Sequence, residues 1–256
     1  TRGICTMIDI HTHILPGLDD GARDMDDSLA MAEVALKSGV HTVVATSHAN
    51  TGGYFREYGP EVYEERLQAF RRALEQEGMP LTVLSGMEIF TTEDVPELIE
   101  DGRLIPINHT SFFLMEFAFG IEAFEMDQML GNVLAMGLTP VIAHPERYAC
   151  VQESPERVNG WMKKGCLAQI NRGSVFGRFG GRAKECADAL LEQRWVTCIA
   201  SDAHKPYERT PYMADIKEYM EERFSYRYSR ELLYENPRKI LMGSASAENN
   251  RSEIVS

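Results

Sequence analysis

Histidines and carboxylates recur at the C-terminal ends of short apolar runs: His11-x-His13, His48, Glu88, Glu116, His144 and Asp202-x-His204. Imidazole nitrogens mixed with carboxylate oxygens suit manganese, iron, zinc or cobalt, whereas an all-oxygen set would suit magnesium or calcium. His11 and His13 lie two apart on an extended segment, so they face one side and can share an ion. Asp9 falls on the same face, where it would orient one of the imidazoles from behind. These donors exceed what one ion needs, so two or three ions are expected, with the two oxygens of Glu88 as a natural bridge. A centre of this kind makes a bridging hydroxide at neutral pH and clamps an in-line displacement at phosphorus, with metals about 3.5–4 Å apart. Arg147 lies three residues past His144 in His-Pro-Glu-Arg, and Arg209 lies five past His204. Guanidinium forks match phosphate oxygens and would stabilise charge in the transition state.

The elements that must position these groups alternate strand and helix. Thr6–Ile10, Val40–Thr46, Leu81–Ser85, Phe112–Phe117, Thr139–Ala143, Cys166–Ile170 and Val196–Ala200 are too short and apolar for helices and read as buried strands. Helices are predicted between and beyond them: Ser28–Ser38 stopped by Gly39, one from Pro60, Ile121–Met136, Pro155–Lys164, Arg182–Gln193 and Pro211–Phe224. In the second, Tyr63, Leu67, Phe70 and Leu74 repeat along one face. This order predicts a single α/β domain with a mainly parallel sheet. A closed or nearly closed seven-stranded, TIM-barrel-like (β/α)7 barrel is expected rather than an open doubly wound sheet. Its C-terminal strand ends would bring five of the seven histidines to one rim. The sixth strand end carries Asn171, and His41 and His109 read as ordinary polar positions.

The chain has 256 residues and, with 39 acids against 26 bases, a formal charge of −13. That surplus excludes a nucleic-acid-coating surface, because no basic stripe exists to displace counterions. The longest apolar runs, such as Phe112–Met115, fall far below the ~20 residues of a membrane span, so no membrane insertion is expected. Five cysteines without a CxxC pair point to free thiols in a reducing cytoplasm. Residues 1–6 lack an apolar signal region and read as an expression remnant ahead of a start at Met7, and 244–256 read as a flexible tail.

Longer strings carry a resemblance. Met7-Ile-Asp-Ile-His-Thr-His13, the Asp19-Asp20-Gly21 turn, Thr46-Ser-His48 and Gly86-Met-Glu88 resemble the polymerase and histidinol phosphatase (PHP) superfamily. Pro140-Val-Ile-Ala-His-Pro-Glu-Arg-Tyr148, Ile199-Ala-Ser-Asp-Ala-His204 and Asn236-Pro-Arg-Lys-Ile240 are similar to its bacterial capsule-regulating tyrosine phosphatase branch. The likeness runs from Met7 to Met242, within a domain placed at 7–243. It implies a distorted seven-stranded barrel with three divalent ions, usually manganese. Carried onto this sequence, the family pattern implies one ion on His11, His13, Glu88 and Asp202. A second would use Glu88, Glu116 and His144, and a third Asp20, His48 and His204. It also implies Arg147 and Arg209 as substrate-binding residues. The implied substrate is the phosphotyrosine tail of a membrane-associated tyrosine autokinase that controls polysaccharide export. The enzyme would then be cytoplasmic and recruited to the inner face of the membrane by that kinase.

Three other readings compete. One is a phosphatase acting on a small phosphomonoester such as histidinol phosphate. Another is a non-catalytic, metal-bound protein that sequesters phosphotyrosine tails. The third is a cysteine phosphatase, since Cys166 to Arg172 satisfies C-x5-R. That loop needs glycines to curl its amides around phosphate, whereas these residues read as a strand and the match is accidental. Tyr54, Phe55 and Tyr58 after His48 either flank a substrate ring or pack as a surface connection.

Overall fold

The computed structural model describes residues 6–55 and 57–244. Apart from Thr6 and Ser244, the remnant expected at 1–6 and the tail expected at 244–256 lie outside those residues. Among them no helix is long and apolar enough to cross a membrane. The described residues form nine strands: β1 Met7–Thr12, β2 Val40–Ala45, β3 His48–Ala49, β4 Thr82–Ser85, β5 Glu88–Phe90, β6 Phe112–Glu116, β7 Thr139–Ala143, β8 Leu167–Asn171 and β9 Cys198–Ala200. Every pairing is parallel. One sheet has the order β1-β2-β4 and the other β3-β5-β6-β7-β8-β9. An isolated parallel bridge between Thr12 and Ala203 links the end of β1 to the segment after β9.

The seven expected strands are therefore present, but the single closed seven-stranded barrel is not. Two of the runs break and continue as separate short strands in the other sheet. After β2 the chain steps aside at Thr46–Ser47 before β3, and after β4 it steps aside at Gly86–Met87 before β5. One residue spans both gaps. The Tyr63 hydroxyl donates to the Ala45 carbonyl at 2.7 Å and accepts from the Gly86 amide at 2.9 Å, so neither buried backbone group is left unpaired. A glycine is required at 86, because a Cβ there would lie 2.7 Å from Val44 Cγ1. The breaks turn His48 and Glu88 out of the first sheet and pair them side by side in the second.

The helix Pro60–Gln76, which carries Tyr63, buries Tyr63, Leu67, Phe70 and Leu74 as its periodicity predicts. A smaller buried cluster with Ile10, Val44, Leu114, Val141 and Leu167 contains residues of both sheets, so the two share one core. Packing of this kind, not sheet closure, makes the strand ends a common platform.

The first helix, Met25–Lys37, is capped by Asp24, whose side chain accepts from the Asp27 amide at 2.9 Å. Asp27 in turn pairs with Arg23 Nε at 2.6 Å. That hydrogen bond holds the Asp27 carboxyl down at about 2. A carboxyl whose folded value is depressed stabilises the fold above its ordinary range near 4 and loses that contribution as pH falls through the folded value. Asp27→Asn should therefore cost about 1 kcal/mol at pH 7, the usual worth of an acid in a first helical turn. In urea titrations the gap from wild type should shrink as pH is lowered towards 2; a gap independent of pH would refute the pairing.

Candidate metal centre

The strand ends converge. His11 and His13 come from the end of β1 and the residue beyond it, His48 opens β3, Glu88 opens β5, and Glu116 ends β6. His144 follows β7, Asp202 and His204 follow β9, and Asp20 lies in the loop after β1. Their donor atoms form three overlapping groups, each with all atoms within 4.8 Å of one another: His13, Asp20, His48 and His204; His11, His13, Glu88 and Asp202; His48, Glu88 and Glu116. His144 joins through Nε2, 3.0 Å from Glu88 Oε1 and 3.5 Å from Glu116 Oε1. All nine side chains are thus brought together, although the grouping differs from the partition implied by the resemblance. His48 stands with Glu88 and Glu116 as well as with Asp20 and His204, and His13 stands in two groups.

Glu88 is the hub. It is buried, and its two oxygens meet four imidazoles: His11 Nε2 at 3.2 Å, His13 Nε2 at 3.1 Å, His48 Nδ1 at 3.1 Å and His144 Nε2 at 3.0 Å. Burial alone would raise its carboxyl, yet the imidazoles of His11 and His48 hold it well below the usual range. Asp202 is likewise held low against burial by His11 and Arg209. Glu116 is pushed up to about 9 by burial and then by the charges of Glu88 and Asp202. Carboxylates crowded so closely lack enough positive charge of their own. Among the described residues, the buried atoms Glu88 Oε2, Asp202 Oδ1, His48 Nδ1 and His204 Nε2 lie within ion-pair distance of neighbouring donors and carboxylates yet make no hydrogen bond of proper geometry. Orphaned donor atoms of mixed nitrogen and oxygen type, converging on common points, are what divalent transition ions require.

Neighbouring loops hold the ligand-type rings in place. Asp19 was legible in the sequence only as part of a turn. Its Oδ2 sits 2.8 Å from His13 Nδ1 and accepts from the His48 amide at 2.8 Å, while Oδ1 accepts from the Gly21 amide at 2.9 Å. A Cβ on Gly21 would come within 2.2 Å of the His13 carbonyl oxygen, so this turn admits only glycine. Asp9 does not orient a ring as expected. Its Oδ1 accepts from the Ser201 amide at 3.0 Å and the His11 amide at 3.3 Å, tying the backbone of β1 to the segment after β9. Phe55 stacks on His48 at 5.0 Å and the Tyr58 hydroxyl donates to the His48 carbonyl at 2.7 Å, whereas Tyr54 is exposed. Two of the three loop aromatics therefore brace His48. His144, Asp202 and Arg209 all adopt left-handed φ of 34°, 50° and 44°, conformations that cost non-glycine residues about 1–3 kcal/mol and gather at functional sites.

A cavity of about 170 Å³ opens on this cluster, lined by His48, Glu88, Glu116, Phe119, His144, Arg147, Asp202 and Arg209. The Arg147 guanidinium lies between two rings, 4.3 Å from the centroid of Phe119 and 4.3 Å from that of Phe179. Stacking of this type fixes a guanidinium plane without using its N–H groups. Its Nη1 is 3.6 Å from Asp202 Oδ2, while Arg209 Nη2 bonds the same oxygen at 2.6 Å. Phe119 and Phe179 sit in separate loops and were not singled out from the sequence. Phe179 packs closely on Gly173, where a Cβ would lie 2.8 Å from its ring.

The C-x5-R match is indeed accidental. Cys166 lies just before β8, at the end remote from the metal cluster, and burial pushes its thiol up to about 12. Arg172 is committed to Asp215, with Nε at 2.7 Å.

Parallel strands whose C-terminal ends gather histidines and acids around a small arginine-lined cavity define the class of metal-dependent hydrolases. Within it, residues 7–242 match the family model described as capsular polysaccharide synthesis, CpsB/CapC, and the chain belongs to that family. It is 36% identical over 218 residues to the tyrosine-protein phosphatase YwqE of Bacillus subtilis, covering 85% of each chain. It is 33% identical to the tyrosine-protein phosphatase CpsB of Streptococcus pneumoniae, covering 92% of this chain and 98% of that one. A crystal structure from work on YwqE and CpsB, described there as unique metal-dependent tyrosine phosphatases, superposes with a TM-score of 0.87 at 34% identity, covering 93% and 96% of the two chains. A TatD family hydrolase of Entamoeba histolytica, at TM-score 0.58 and 11% identity over 93% of this chain and 99% of that one, shares the fold alone.

Proposed function

We propose that this chain is a metal-dependent tyrosine-protein phosphatase whose domain spans 7–243. The observation that carries the reading is Glu88 meeting four imidazoles at the floor of a cavity walled by two arginines. Three divalent ions would be held, manganese by preference, with iron, zinc and cobalt acceptable to the same donors. His11, His13, Glu88 and Asp202 would hold one; Glu88, Glu116 and His144 a second; Asp20, His48 and His204 a third. His48 and His13 stand close enough to serve neighbouring positions. Bound there, such ions supply an activated water nucleophile at neutral pH and neutralise phosphoryl charge.

The remaining roles belong to the chain. Arg147, held by its two rings, would take phosphate oxygens with its outward N–H groups, and Arg209 would complete the cradle while anchoring Asp202. Phe119, 45% exposed at the mouth, offers an apolar edge to the substrate ring. A phenol has a pKa near 10, so its anion departs more easily than an alkoxide and needs little help from a protein acid. The proposed substrate is the phosphotyrosine tail of a bacterial tyrosine autokinase in capsular polysaccharide synthesis, met in the cytoplasm. Family membership in capsular polysaccharide synthesis supports that partner, and the buried free thiols of Cys150, Cys166, Cys186 and Cys198 suit that compartment.

Elemental analysis paired with peptide hydrolysis tests the reading. Purified protein should carry close to three ions per chain, lose phosphotyrosine-peptide hydrolysis on chelation, and regain it with Mn2+. Hydrolysis indifferent to chelation would overturn it. A clear preference for histidinol phosphate would reassign the substrate, and tight peptide binding without phosphate release would leave only a sequestering protein.

A further inference from the structure

The sixth expected strand end supplies no ligand, yet it faces the centre. Gln169 and Asn171 alternate on β8, are both fully buried, and form a continuous chain of hydrogen bonds. His11 Nδ1 lies 2.8 Å from Gln169 Oε1, Gln169 Nε2 donates to Asn171 Oδ1 at 2.8 Å, and Asn171 Nδ2 donates to Asp202 Oδ2 at 2.6 Å. The direction of this chain is set at one end. A carboxylate oxygen has no hydrogen to give, so Asn171 must turn its NH2 towards Asp202 and its carbonyl towards Gln169. Gln169 must then turn its NH2 towards Asn171 and its carbonyl towards His11. An acceptor facing Nδ1 keeps the His11 proton on that nitrogen. Nε2, which lies 3.2 Å from Glu88 Oε2 and 3.5 Å from Asp202 Oδ1, keeps its lone pair for the centre. At the other end, Asn171 and Arg209 together occupy Asp202 Oδ2 and leave Oδ1, the orphaned atom, aimed inward.

We propose that Gln169 and Asn171 are positioning residues, an amide strut that sets the tautomer of His11 and the rotation of Asp202 and so prearranges one of the ion positions, that of His11, His13, Glu88 and Asp202. The proposal rests on the metal reading of the site for its purpose, but its geometry is a property of the ion-free chain. Gln169 and Asn171 bond His11 and Asp202 and, among the described residues, make no hydrogen bond to Asp20, His48 or His204. The larger effect therefore falls on that one ion, with a smaller one passed through Asp202 Oδ1, which lies 3.5 Å from His204 Nδ1.

Two measurements test it. The first uses metal-free protein at alkaline pH, where the His11 ring is neutral despite the carboxylates at its Nε2. Nitrogen NMR of the histidine side chains, with His11 assigned by loss of its signal in His11→Gln, should show the proton on Nδ1 in wild type and a mixture of tautomers in Gln169→Leu. In calorimetric titrations with Mn2+, Gln169→Leu and Asn171→Leu should weaken one ion by about 10–100-fold, the usual effect of removing a partner behind a ligand, while the others move far less. Wild-type tautomer and wild-type titration in Gln169→Leu would overturn the strut. Should the leucine variants fail to fold, Gln169→Glu serves. It still accepts from His11 but sets an oxygen against Asn171, so the Nδ1 proton should persist while affinity for the one ion falls; unchanged affinity would overturn the proposal. A wild-type chain that takes up no Mn2+ would instead refute the metal reading, with the tautomer measurement still judging the strut.

Discussion

Replacing Glu88 by glutamine is expected to lower kcat by about 10³-fold or more, roughly 4 kcal/mol of transition-state stabilisation. Glutamine keeps the volume of the side chain but exchanges one oxygen for an NH2 that repels a cation. Because Glu88 meets His11, His13, His48 and His144 at once, the change disturbs two of the three donor groups together. Metal content should drop by at least one ion per chain in elemental analysis. Glu116→Gln, at the rim of a single group and partly exposed, should do less harm. Activity within tenfold of wild type, with full metal content, would remove Glu88 from the centre of the mechanism.

The second large effect is expected at Arg147. Truncation to alanine should cost about 10²–10³-fold in kcat/KM, the range for losing one charge-assisted donor to a developing oxyanion. Metal content should stay unchanged, because Asp202 retains its closer bond to Arg209. Lysine should recover little, since an ammonium neither stacks between Phe119 and Phe179 nor presents a fork. Steady-state kinetics on a phosphotyrosine peptide, with elemental analysis of the same samples, separates this from a ligand defect. Full activity in Arg147→Lys would mean that only net charge matters there.

The parts of this site legible in the sequence are those that end strands. His11, His13, His48, Glu88, Glu116, His144, Asp202 and His204 each follow or close a short apolar run, and parallel strands deliver their C-terminal ends to one face. Asp20 came only through the family resemblance, because an Asp-Gly turn has no periodicity to mark it. Asp19 was hidden for the same reason, and its bonds to His13 and the His48 amide depend on a loop closing over β1. The two strand breaks were invisible, since Thr46–Ser47 and Gly86–Met87 continue the polar and apolar character of a strand while the backbone turns aside. That is why seven runs became nine strands in two sheets. Phe119 and Phe179 are far apart in sequence, and nothing local tells an aromatic in a loop that its partner will be a guanidinium. Gln169 and Asn171 left a faint trace, two amides at alternate positions in an otherwise apolar strand.

The hydroxyl of Tyr63, which spans both breaks, has a dynamic consequence. His48 and Glu88 are delivered by different strands, yet one phenolic oxygen secures the turn that leads to each. Any excursion that undocks the helix Pro60–Gln76 must release the Ala45 carbonyl and the Gly86 amide in the same event. Undocking of that helix is therefore expected to loosen the approaches to His48 and Glu88 together. Hydrogen exchange at the single amide of Gly86 would count how often the resting protein visits that loosened form.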